Sequence, residues 1–142
     1  TTLGSGGFRI VGAVFGDLLP SVAPAGDVNG DGLADIILGT AEYQRGSALG
    51  YASGTAYLIL GRAEGLADID LASPGPGVFR FSGITADAID EMIVASAGDL
   101  NRDGFDEILI DVGNASIPGL GTTRSTWVIW GSDTPRDLDL YN

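Results

Sequence analysis

The sequence predicts an all-β fold made of repeated short sheets, and three observations support this prediction. Short apolar runs rich in β-branched residues, such as 35–39 and 107–111, have the length of strands rather than of helices. The 23 glycines and 6 prolines among 142 residues indicate many tight turns. Several segments also occur twice along the chain, which is typical of a repeat architecture.

The recurring segments divide the chain into two similar units, residues 1–71 and 72–142. The matching pairs are 8–12 with 79–83, 21–26 with 93–98, 27–35 with 99–107, 57–61 with 127–131, and 68–71 with 137–140. Each unit contains four candidate strands. The length fits one domain, and no apolar run approaches the length of a membrane-spanning helix. We therefore expect a single domain, 1–142, built from two repeats.

The first unit contains a stretch, 27–35, with oxygen-bearing side chains at positions one, three, five and nine. These residues are Asp27, Asn29, Asp31 and Asp35. Gly32 at position six supplies the permissive φ that lets the backbone curl around a point, and the carbonyl of Leu33 would add a further oxygen. Hard divalent cations prefer such oxygen cages. The stretch predicts a calcium loop, against the alternative of a polar turn satisfied by its own backbone.

The second unit repeats this stretch at 99–107, with side-chain oxygens from Asp99, Asn101, Asp103 and Glu107 and a carbonyl from Phe105. Position twelve is Leu38 in one copy and Ile110 in the other, so neither fits an EF-hand loop, which needs an acidic residue there. An apolar strand follows each loop instead. We therefore expect two structural calcium ions in loops that join two strands, with Glu107 either bending back or pulling its loop open.

Composition excludes several classes of function. The chain has 19 acidic and 7 basic residues and a net charge of −12, so cations are better partners than nucleic acids or anionic membranes. It contains no cysteine and no histidine, which excludes a disulfide framework, a Ser-His-Asp arrangement and most zinc chemistry. The acidic cluster Asp87, Asp90 and Glu91 does not place two carboxylates across a cleft. We expect no enzymatic activity and no catalytic residues.

The order of these elements resembles the FG-GAP repeats of integrin-α-type β-propellers and their bacterial relatives. The resemblance rests on Phe15 and Gly16, the small-residue strand 21–26, the loop 27–35, the apolar strand 36–39 and the later strand 56–61. The second unit departs from the pattern because Asp87 and Ala88 replace the Phe-Gly pair and Glu107 replaces the last aspartate. The resemblance implies two four-stranded propeller blades, each cut out of phase with its unit.

In this family resemblance, residues 78–82 would complete a blade begun by strands at 21–26, 35–39 and 55–60. Residues 8–11 would be the outer strand of the preceding blade, and the strands within 93–130 would lack an outer strand. Two blades cannot close a ring, because propellers need about 4 to 8. The chain is therefore expected to be part of a larger propeller, or to form a homo-oligomer, a trimer or tetramer, by exchange of its N-terminal strand.

The family implies extracellular adhesion or another protein–protein interaction, with a protein or glycan ligand. The alternatives are a lectin-like propeller, a structural spacer of a surface protein, or a non-catalytic domain of a secreted enzyme. Millimolar calcium and weak oxygen-ligand modules belong outside the cell, and the chain begins without a signal peptide, as a mature or excised segment would. Ligand contacts are expected in the long loops 12–20, 40–54, 83–91 and 112–125. The candidate residues there are Tyr43, Arg45, Tyr51 and Arg124.

Overall fold

The computed structural model describes residues 6–13, 18–43, 52–85, 92–117 and 121–140. These residues form ten strands and no α-helix, so the predicted all-β class is confirmed. The strands are β1 (Ile10–Val11), β2 (Leu18–Gly26), β3 (Asp35–Tyr43), β4 (Ala52–Ile59), β5 (Ile69–Asp70), β6 (Val78–Thr85), β7 (Met92–Gly98), β8 (Glu107–Ile117), β9 (Gly121–Ile129) and β10 (Leu138–Asp139). Within these ranges, no helix is long and apolar enough to cross a membrane.

Five strands form the first sheet, in the order β10, β6, β4, β3, β2. The β2, β3, β4 and β6 strands pair antiparallel, and β10 joins β6 in parallel. The sequence places the strand at 78–82 in the second unit, yet as predicted it pairs with strands of the first unit. The unit boundary of the sequence therefore differs from the boundary of the sheet.

The second sheet has three strands, in the order β7, β8, β9, all antiparallel. Among the described residues this sheet has no fourth strand, as expected for 93–130. Residues 8–11, which were expected to supply that strand by exchange between copies, contain β1, and β1 pairs in parallel with β5 through Ile10 and Ile69. The strands of the described residues do not close into a ring of sheets.

All four predicted long loops are wrong in extent, because β2 already begins at Leu18, within 12–20, and β6 runs on to Thr85, within 83–91. The range 40–54 was expected to be a loop, but β3 runs on to Tyr43 and β4 begins at Ala52. The range 112–125 is also mostly strand, because β8 ends at Ile117 and β9 begins at Gly121. Cross-strand pairs such as Ala115 with Thr123 continue the ladder, and threonine suits such positions despite its polarity. Residues 14–17, 44–51 and 86–91, which include Phe15, Gly16, Arg45, Tyr51, Asp87, Asp90 and Glu91, lie outside the described residues.

The main core lies between the two sheets. Ile37, Leu58 and Phe81 of the first sheet pack with Ile108 and Ile110 of the second sheet, and all five side chains are buried. A smaller cluster lies on the opposite face of the first sheet. It consists of Leu38, Tyr57, Ile59 and Leu71, with Ile10 and Ile69 packed against it. The first sheet is therefore apolar on both faces, as expected of a sheet with neighbours on both sides.

Two glycines shape the contact between the sheets. A Cβ atom at Gly39 would lie 2.6 Å from the carbonyl oxygen of Met92, and one at Gly54 would lie 2.5 Å from its Cε. Real Cβ atoms do not come this close, so these two positions form a notch that accepts the buried Met92 side chain.

The β9 strand alternates as the sequence predicts. Trp127 and Ile129 pack against the main core, whereas Val128 is 44% exposed and Trp130, directly after the strand, is 59% exposed. Successive side chains of a strand point to opposite faces, so the end of β9 has apolar residues on its buried face and on its exposed face.

Candidate metal centres

Both predicted loops join two strands of a hairpin. The first loop follows β2 and ends where Asp35 begins β3, and the second follows β7 and ends where Glu107 begins β8. Gly32 and Gly104, at position six of their loops, have φ values of 83° and 93°. Such positive φ values favour glycine, so the predicted local structure is confirmed in both loops.

The first loop is held by hydrogen bonds from its own backbone. The Asp27 carboxylate accepts from the N–H groups of Asp31 (3.0 Å) and Gly32 (2.8 Å). Asp31 Oδ1 accepts from the Leu33 N–H at 2.8 Å, and Asn29 Nδ2 donates to Asp31 Oδ2 at 2.9 Å. These bonds aim the side chains at positions one, three and five toward the inside of the turn.

The second loop repeats these hydrogen bonds one for one. Asp99 accepts from the N–H groups of Asp103 (3.1 Å) and Gly104 (3.0 Å). Asp103 Oδ1 accepts from the Phe105 N–H at 3.0 Å, and Asn101 Nδ2 donates to Asp103 Oδ2 at 2.8 Å. Because the same bonds form, Glu107 does not pull the second loop open.

Asp35, at position nine of the first loop, is 1% exposed. Its Oδ2 accepts from the Val28 N–H at 2.9 Å and its Oδ1 from the Gly61 N–H at 2.8 Å. Burial raises the pKa of this carboxyl, and the two backbone hydrogen bonds work in the opposite direction. Asp35 therefore ties the loop to the end of β4, and both of its oxygens have a protein partner.

Glu107, at the equivalent position of the second loop, is fully buried. Its Oε2 accepts from the Leu100 N–H at 2.6 Å, just as Asp35 accepts from Val28. Its Oε1 is also buried, and among the described residues it has no hydrogen-bond partner. Leaving a buried carboxylate oxygen unsatisfied costs free energy, so a cation bound at this atom would be stabilising.

The carboxylates of the second loop also converge. Asp99, Asp103 and Glu107 each place an oxygen within 4.8 Å of the oxygens of the other two. Of the residues that the structure describes, no other three acidic side chains do so, and Asp27, Asp31 and Asp35 are therefore less tightly grouped. Three negative charges this close repel one another unless a cation lies between them. The second loop fits a divalent cation that takes oxygen ligands.

The two loops also contact each other, through a residue that the loop motif does not include. Asp106 Oδ2 accepts from the Asp27 N–H at 2.8 Å, and the Asp106 N–H donates to the Asp27 carbonyl at 2.9 Å. The Ser132 N–H donates to the Val28 carbonyl at 2.9 Å. Ala34 stands at the position of Asp106 in the first loop, so comparing the units could have indicated that Asp106 serves the contact between them.

Of the four residues predicted to contact a ligand outside the metal loops, the described ranges include Tyr43 and Arg124. Tyr43 is the last residue of β3 and Arg45 and Tyr51 lie outside the described residues. Arg124 lies in β9, where its Nε donates to Asp111 at 3.0 Å. Thr126 also donates to Asp111, at 2.9 Å. Arg124 therefore belongs to a polar group on the exposed face of the second sheet.

Residues 19–59 match the family model of the FG-GAP repeat. This segment is an FG-GAP repeat. The matched residues run from β2 through the first loop to the end of β4, so the FG-GAP repeat coincides with three strands of the first sheet. A search of curated proteins finds no match to the chain. An FG-GAP repeat suggests a protein-interaction module of the β-propeller type.

Proposed function

We propose that this chain is a calcium-binding, non-catalytic module of the β-propeller type that serves protein–protein interaction outside the cell. The two sheets are propeller blades in this proposal, and each inter-strand loop holds one structural Ca²⁺. The ligands are the side chains predicted from the sequence, which are Asp27, Asn29, Asp31 and Asp35 in the first loop and Asp99, Asn101, Asp103 and Glu107 in the second. Carbonyls of Leu33 and Phe105 complete the sets.

The observation that carries the proposal is Glu107 Oε1 in the second loop, which is buried and has no hydrogen-bond partner among the described residues. Glu107 also places a carboxylate oxygen within 4.8 Å of oxygens of Asp99 and Asp103, and this grouping supports a shared cation. The chain has no histidine or cysteine, so all the available ligands are oxygens, which favours calcium or magnesium over zinc. Calcium accepts the larger and less regular oxygen cages, which suits a nine-residue loop with a backbone carbonyl.

The first loop supports a second ion with the same hydrogen-bond pattern. Each oxygen of a carboxylate has two lone pairs, so Asp27, Asp31 and Asp35 can hold a cation and keep their backbone hydrogen bonds. Cation binding there must draw the three carboxylates together, since they are less tightly grouped than those of the second loop. We therefore propose the second loop as the tighter site.

A structural role for the ions follows from their place in the fold. Each loop lies at the turn of a hairpin whose strands carry the main core, and Asp106 joins one loop to the other. Neutralising the clustered carboxylates would stabilise both hairpins and the contact between the sheets. Dependence on free calcium at weak-module levels suits an extracellular location, where the ion is millimolar.

Thermal unfolding of the 142-residue chain tests the calcium proposal. At a free calcium concentration 100 times the Kd, each site should add about 2.7 kcal/mol to the free energy of unfolding, so the melting temperature should rise when calcium replaces a chelator. Glu107→Gln should lose most of the second loop's share. The matched control is Glu64→Gln, an exposed acidic residue in a turn, which should respond like the wild type. An unchanged melting temperature in calcium would contradict the proposal.

A further inference from the structure

The second sheet exposes apolar residues whose equivalents in the first sheet are buried. Leu58 is 1% exposed, but Val128, at the matching position of β9, is 44% exposed. Val28 of the first loop is 3% exposed, whereas Leu100 of the second is 57% exposed. The first sheet is covered at these positions by the second sheet. We call the uncovered surface, formed by Ile93, Leu100, Leu109, Val128 and Trp130, the open face.

The β2 strand of the first sheet exposes apolar residues whose equivalents in β7 of the second sheet are buried. Val94 of β7 is buried against the first sheet. Its equivalent in β2, Val22, is 68% exposed, and Pro24 next to it on the same side is exposed too. We call the surface around Val22 and Pro24 the rear face. The contact between the two sheets buries the first sheet's equivalent of the open face and the second sheet's equivalent of the rear face. The open face and the rear face themselves remain exposed.

The strand edges show the same complementarity. The β6 strand lies between β4 and β10. Its equivalent, β1, pairs on one side only, with β5, in the register that β6 has with β10: Ile10 faces Ile69 as Phe81 faces Leu138. The β9 strand, the equivalent of β4, has β8 as its neighbour and no outer strand among the described residues. Among the described residues, β1 therefore has no β4-like neighbour and β9 has no β6-like neighbour.

We propose that the open face and the β9 edge bind a second copy of this chain, through that copy's rear face and β1 strand. The resulting strand order, β5 and β1 of one copy followed by β9, β8 and β7 of the other, reproduces the order of the first sheet. The β4–β6 register then sets the new pairs. Phe81 with Ala56, Arg80 with Tyr57 and Phe79 with Leu58 become Ile10 with Thr126, Arg9 with Trp127 and Phe8 with Val128.

The polar part of the open face favours a copy of this chain as the occupant. Asp111 and Arg124 stand where the first sheet has Gly39 and Gly54, the notch that accepts Met92. Because Asp111 and Arg124 carry side chains, a long side chain from a neighbouring sheet has no notch to occupy at this position. The first unit has Pro20 at the position of Met92, so a second copy brings a short residue there.

The contact between copies is expected to be weaker than the contact within one chain. Asp106 binds the backbone of Asp27 across the internal contact, but Ala34 stands in its place in the first unit and offers no carboxylate. The assembly is head-to-tail, since different surfaces of the two copies meet, and each added copy leaves the same two surfaces available. Association should therefore increase with protein concentration.

Sedimentation equilibrium of the 142-residue chain over a range of concentrations tests this proposal. The wild type should exceed the monomer mass. Val128→Lys places a charge in the open face, and Val22→Lys places a charge in the rear face. Each variant alone should associate at least about tenfold more weakly than the wild type, the effect expected for a charge in an apolar contact. Ala63→Lys, at an exposed turn position, is the control and should associate like the wild type.

Mixing the two face variants gives the sharpest test. Val128→Lys retains an intact rear face and Val22→Lys retains an intact open face, so an equimolar mixture should form 1:1 dimers and nothing larger. A wild-type chain that stays monomeric, or a mixture that does not combine, would overturn the proposal, and a different partner would then cover the open face. Association without any effect of calcium would leave this proposal standing and contradict the calcium sites, so the two failures are distinguishable.

Discussion

The two units of the chain share one loop geometry, and three of the equivalent positions at which they differ are instructive. Asp35 of the first loop has protein partners for both carboxylate oxygens, whereas Glu107 of the second leaves Oε1 without one among the described residues. Gly30 has a φ of 72°, and its equivalent Arg102 has a φ of 64°. Gly39 forms a notch, and its equivalent is Asp111.

Because of these differences, the two units satisfy their buried carboxylates in different ways. The first loop satisfies its buried carboxylate with backbone donors and thus stabilises the hairpin without an ion. In the second loop, Glu107 Oε1 has no such donor among the described residues, and three carboxylate oxygens lie close together. With one more methylene group at position nine, Glu107 keeps the bond to the Leu100 N–H but makes no second bond like the one that Asp35 accepts from Gly61. Each difference can be tested by a substitution on one side of the comparison.

The largest effect is expected for Asp35→Ala. The change leaves the N–H groups of Val28 and Gly61 without their acceptor, and losing two hydrogen bonds to a buried carboxylate should lower the free energy of unfolding by about 3–5 kcal/mol. Urea unfolding in chelator measures this. Glu107→Ala is the matched control and should cost less in chelator, because it also removes an unsatisfied buried oxygen. Equal losses in the two variants would contradict the proposed difference.

A smaller effect of opposite sign is expected for Arg102→Gly. A non-glycine residue in the left-handed region costs about 1–2 kcal/mol, part of which glycine loses again through its freer unfolded chain. The variant should therefore gain about 0.5–1 kcal/mol in the free energy of unfolding.

The reciprocal change supplies the control for Arg102→Gly. A Cβ at Gly30 would meet the Phe105 ring at 2.7 Å, so Gly30→Ala should be destabilising. A stabilising Gly30→Ala, or a destabilising Arg102→Gly, would show that the backbone at this position is not what distinguishes the loops.

The smallest effect concerns Asp111 on the second sheet. Its hydrogen-bonded ion pair with Arg124 lowers the pKa of Asp111 below the unfolded value of 3.8. A lowered pKa contributes stability above the unfolded value, and the contribution is lost as the pH falls through the folded value. Arg124 is largely exposed and Asp111 is partly exposed, so Asp111→Asn should cost about 0.2–1 kcal/mol at pH 7. Unfolding at pH 7 and at pH 2 checks this, since the difference from the wild type should be smaller at the lower pH.

Much of the fold can be predicted from the sequence because it rests on local patterns. The apolar run 36–38 identifies a strand, and the family resemblance places residues 78–82 beside the strands of the first unit, where β6 lies. The strand segments 40–43 and 112–117 were predicted as loops, because small polar residues give no periodic signal even when they pair.

The geometry of the candidate site depends on contacts that a motif does not encode. The spacing of acidic residues predicts both loops, but it does not predict how Glu107 is accommodated at position nine. In the structure, one carboxylate oxygen of Glu107 accepts from the Leu100 N–H, and the other has no hydrogen-bond partner among the described residues. Asp106 is missed because its role lies between units rather than within one loop.

A calorimetric calcium titration of the Asp31→Asn and Asp103→Asn variants, at matched ionic strength, tests the central claim most directly. The two substitutions are equivalent, one in each loop. If the second loop is the site arranged for an ion, the tighter binding step of the wild type should persist in Asp31→Asn and disappear in Asp103→Asn. The tighter step persisting in Asp103→Asn, or the absence of calcium binding to the wild type, would contradict this account.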